Sequence, residues 1–130
     1  MGLDMGLIAA KRQFDINQIL SDNILEYDEI KSIPQFFTQE GEFKWPEACH
    51  VWYARKFWDM LYNIPKFHEA IVDQRPVRVN KDLLKQMIDF YAYHSDYFDG
   101  FEGLPRLCEL YQMYDNMILN DVILWLWMSY

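Results

Sequence analysis

Val122-Ile123-Leu124-Trp125-Leu126-Trp127-Met128 is the stretch on which the fold turns. Read as a helix, it extends the segment before it and makes the chain an all-helical bundle. Read as a strand, it makes the chain α+β. Asn120-Asp121 sets it off as a separate element, and its aromatic and β-branched residues favour a strand. Seven apolar residues in a row suit a strand covered on both faces. At 7 residues it falls far short of the ~20 that a membrane-spanning helix requires.

A strand here needs a partner. Leu3 to Ala10 supplies one, being short, apolar and closed by Lys11 and Arg12, with Gly2 and Gly6 weakening a helical reading. The expectation is an α+β single domain spanning residues 1–130, in which about four helices pack on a small sheet formed by the N- and C-terminal strands. The all-α bundle is the alternative.

Between the terminal strands, Asp15 caps a helix in which Ile16, Ile19, Leu20, Ile24 and Tyr27 recur at helical spacing, and Pro34 ends it. Residues 35–46 read as a loop. A helix is expected from Glu47 to Tyr62, opened by Pro46, with Val51, Ala54, Phe57, Trp58 and Leu61 as its apolar stripe. Pro65 stops or kinks it, and Lys66 to Val72 make a short further turn. Pro76-Val77-Arg78-Val79 alternates as a short strand. Asn80 caps a helix with Leu84, Met87, Ile88 and Tyr91 on one face and Asp82, Lys85 and Asp89 on the other. After a turn-rich loop from Tyr97 to Gly103, Pro105 opens the last helix, faced by Leu107, Leu110, Tyr111, Tyr114 and Met117.

The chain has 130 residues, 52% of them hydrophobic and 18% aromatic, which excludes a disordered polypeptide. That many rings exceed what one small core can hide, so some are expected at the surface, where aromatic patches mark binding sites. The net charge is −8, concentrated in the flanks: −4 over residues 1–45, +1 over 46–80 and −5 over 81–130. This distribution argues against direct binding to nucleic acid or anionic lipid, which need Lys and Arg. It permits a protein partner with a basic surface, while the charge taken alone is better accounted for by solubility. Arg55 and Lys56, beside Trp52, Tyr53, Phe57 and Trp58, are expected to pair with acidic helices of the same domain rather than to stack bases. The start has no basic region ahead of an apolar run, and a cytoplasmic location is expected.

The motifs that carry chemistry are sparse. Cys49, His50, His68, His94 and Cys108 are the candidate soft metal ligands, but none falls in the close pairs that zinc sites use. The cysteines are expected as free thiols in a reducing compartment. Ser21, Ser32, Ser95 and Ser129 have no flanking GxSxG, and no Gly-rich phosphate loop follows the first strand. No catalytic residue, metal or cofactor is therefore assigned. Asp96, Asp99 and Glu102 cluster about Gly100 and Gly103 without the alternating ligands of a calcium loop.

Met1-Gly2-Leu3-Asp4-Met5 resembles the start of a group of small uncharacterised bacteriophage and prophage proteins. In that group a short N-terminal strand precedes a helix with an aromatic-Arg-Lys sequence, here matched by Trp52-Tyr53-Ala54-Arg55-Lys56. An acidic strand-then-capped-helix unit follows, here Val77 to Tyr91, and an aromatic strand ends the chain, here Leu124 to Tyr130. The likeness covers the first five residues well and the remainder loosely, and Gly6 stands where most members carry an aromatic residue. It brings no activity and no site residues; it implies a viral origin. With that origin, the acidic flanks suggest a phage-type protein that regulates or inhibits a host protein, such as a defence nuclease or complex, by direct contact in the host cytoplasm. Glu26, Asp28, Glu29, Asp96, Asp99 and Glu102 are the expected contact residues. The other classes are a self-assembling structural or accessory phage protein, as a homodimer or larger, and an enzyme with a dispersed site using His68 or His94.

Overall fold

The computed structural model describes residues 4–16, 42, 44–55, 62–68, 76–93 and 103–129. The chain is α+β, with a four-stranded antiparallel sheet in the order β2-β1-β4-β3. The strands are β1 (Asp4–Lys11), β2 (Ala48–Arg55), β3 (Val77–Arg78) and β4 (Val122–Ser129). Among the described residues two helices, α1 (Lys81–Tyr93) and α2 (Gly103–Leu119), lie between β3 and β4. The N- and C-terminal strands pair as expected along their whole length, from Asp4↔Ser129 to Lys11↔Val122. That pairing removes the all-helical alternative.

Strand periodicity sorts the side chains into two layers. Met5, Leu7 and Ala9 of β1 and Val122, Leu124 and Leu126 of β4 enter the main core with Leu83, Leu84 and Met87 of α1 and Leu107, Leu110 and Met117 of α2. Ile8 and Ala10 face the opposite way with Ala48, and Phe14, Ile16, Trp125 and Trp127 pack half-buried around them. The apolar run of β4 is thus deeply buried on its helix-facing side and half-buried on the other.

Where a helix is expected over Glu47–Tyr62, Ala48–Arg55 is instead β2, an edge strand paired antiparallel to β1. A β-bulge interrupts that pairing. Leu7 pairs with Trp52 and Ile8 with His50, leaving Val51 as an extra residue. Val51, Trp52 and Ala54 all enter the core, so Val51 and Ala54 fall at the i, i+3 spacing of a helix. The β-branched and aromatic Val51-Trp52-Tyr53 is the strand signal that this spacing masks. Pro46 accordingly leads into a strand, and Trp52-Tyr53-Ala54-Arg55 lies on that strand. Residues 56–61 lie outside the described residues. Of the turn expected over Lys66–Val72, residues 66–68 are helical and 69–72 lie outside the described residues; Phe67 is buried and its N–H donates to the carbonyl of Ile64 at 3.0 Å. The helix expected from Asp15 lies, beyond Ile16, outside the described residues.

Asn80 caps α1 as its sequence suggests: the Leu83 N–H donates to Asn80 Oδ1 at 2.8 Å. Asp82, in the first turn, adds negative charge at the positive end of the helix dipole. Asn80→Ala is expected to cost about 1 kcal/mol of stability, read as a lowered urea midpoint with unchanged slope. Helix α2 starts at Gly103, so Pro105 sits in its first turn, where no backbone donor is required. At its end Asp121 takes a left-handed conformation, with φ 56°. The Asp121 N–H donates to the Ile118 carbonyl at 3.2 Å, and the Asp121 carbonyl accepts from the Arg12 N–H at 2.8 Å. This tight turn sends α2 straight into β4 and ties it to the end of β1.

Candidate interaction surface

Gly6, at the centre of the sheet, organises the half-buried face opposite the helices. Its register partners are Tyr53 on β2 and Trp127 on β4, so the three form one row across the sheet. Next-but-one strands lie roughly 10 Å apart. Yet the Trp127 and Tyr53 ring centroids are 6.5 Å apart, and Trp127 reaches His50 edge-to-face at 6.1 Å. The indole therefore leans across β1, over the space that Gly6 leaves empty. A Cβ placed on Gly6 would lie 2.6 Å from Trp127 Nε1 and 2.8 Å from Cε2. Nε1 is buried there and makes no hydrogen bond among the described residues. Tyr53, at 36% exposure, is the most open ring of the group; His50, Trp125 and Trp127 are half-buried.

On the helix side, Arg106 of α2 is buried at 7% exposure and donates from Nη1 to the Val51 carbonyl at 2.8 Å. The guanidinium thus serves the extra residue of the bulge and fixes α2 on β2. It also lies near the buried Cys49 thiol. Burial pushes the Cys49 pKa up to about 12, against the opposing pull of the Arg106 charge. A thiol held so far above neutrality is almost wholly protonated and a poor nucleophile. A disulfide-type thiol reagent at pH 8 is expected to modify the half-buried Cys108 while Cys49 reacts only on unfolding. Counting released thiolate per chain checks this.

Cys49 and His50 point to opposite faces of the sheet, Cys49 into the core and His50 toward Trp127, so they cannot share an ion. Among the described residues no three His, Cys, Asp or Glu side chains are grouped to hold a metal. His68 is exposed, with its ring 6.4 Å from that of Tyr62. His94 lies outside the described residues, as do all six expected contact residues, Glu26, Asp28, Glu29, Asp96, Asp99 and Glu102. No described helix is long and apolar enough to cross a membrane.

No motif marks the Tyr53–Gly6–Trp127 row. Its signals are nevertheless in the sequence: a glycine inside a strand, which marks close approach of another group, and a Trp-x-Trp on one face of the neighbouring strand. Comparison with known proteins finds no matching family model, no matching curated protein and no matching solved structure.

Proposed function

We propose that this chain is a small acidic binding protein that regulates or inhibits another protein by direct contact, with a phage as its source and a host factor, such as a defence nuclease or complex, as its target. The observation that carries this reading is the half-open aromatic face of the sheet, His50, Tyr53, Trp125 and Trp127, on a chain of net charge −8. Aromatic rings anchor protein interfaces, while surplus charge steers the encounter and selects a partner of opposite sign. Glu26, Asp28, Glu29, Asp96, Asp99 and Glu102 would supply that steering, and a basic surface on the target would receive it. The chemistry proposed is binding, without a catalytic step.

The test is an affinity capture from bacterial lysate at low and at raised salt, read by mass spectrometry. One dominant partner that is lost as salt rises is the expected result, because exposed charge pairs are screened. Tyr53→Ala, at an open position, is expected to weaken that capture about tenfold. Recovery of the chain alone, with a mass that grows with concentration, would overturn the reading in favour of self-assembly.

A further inference from the structure

We draw no further inference here: the strongest candidate, the aromatic patch of His50, Tyr53 and Trp127 on the sheet face opposite the helices, belongs to the surface already described, and nothing in the structure shows what covers it.

Discussion

Gly6→Ala is expected to lower the unfolding free energy by about 2–3 kcal/mol, the scale of overpacking a well-filled site. The added methyl would sit 2.6 Å from Trp127 Nε1, closer than any real contact of a Cβ. The indole cannot yield by bending. It must rotate away, and in doing so it gives up its contacts with His50 and Tyr53 across the strand. A double-mutant cycle separates this clash from any general effect on β1. With Trp127→Ala in place the obstacle is gone, and Gly6→Ala then exchanges a flexible residue for a stiffer one inside a strand. In that background the same substitution is expected to be neutral or to stabilise by about 0.5 kcal/mol. The measurement is urea unfolding of all four variants. A Gly6→Ala cost that stays the same in both backgrounds would show that Trp127 is not what excludes a side chain from position 6.

Arg106→Met should cost a comparable amount, about 2–3 kcal/mol, the scale set by losing a hydrogen bond from a charged donor inside the fold. Methionine fills much of the arginine's volume, so the packing of α2 on β2 is largely kept. The loss includes the 2.8 Å bond to the Val51 carbonyl. Val51 is the extra residue of the bulge, and a bulge residue is left out of the regular ladder. Its carbonyl therefore depends on a donor from outside the sheet. Arg106→Lys keeps the charge but has no planar fork, and is expected to recover only part of the loss. Both variants are read by the urea midpoint at constant slope. Full stability in Arg106→Met would mean that the bulge does not need the guanidinium.

The apolar run at Val122–Met128 and the short segment from Asp4 to Ala10 are strands by composition and length. Their pairing follows because each is too short to bury its apolar side chains alone. Asn80 is readable as a cap because a short amide next to a helical pattern can bond only the first free N–H groups. The segment from Glu47 misleads, because a bulge puts two consecutive residues on one face and converts period two into apparent period 3.6. The six acidic residues chosen for partner contact rest on charge alone, which names a class of surface without placing it.

The sequence by itself determined which segments are strand or helix at both termini and around Asn80, since local composition, capping and periodicity act over a few residues. It also determined the strong negative charge and the surplus of aromatic rings. Only the tertiary structure decided that Ala48–Arg55 is an edge strand, that β1 lies between β2 and β4, that Arg106 turns inward to the bulge, and that Trp127 crosses Gly6 to meet His50. Those outcomes depend on pairings between residues tens of positions apart. Their energies come from desolvation and close packing, which exist only once the partners are brought together.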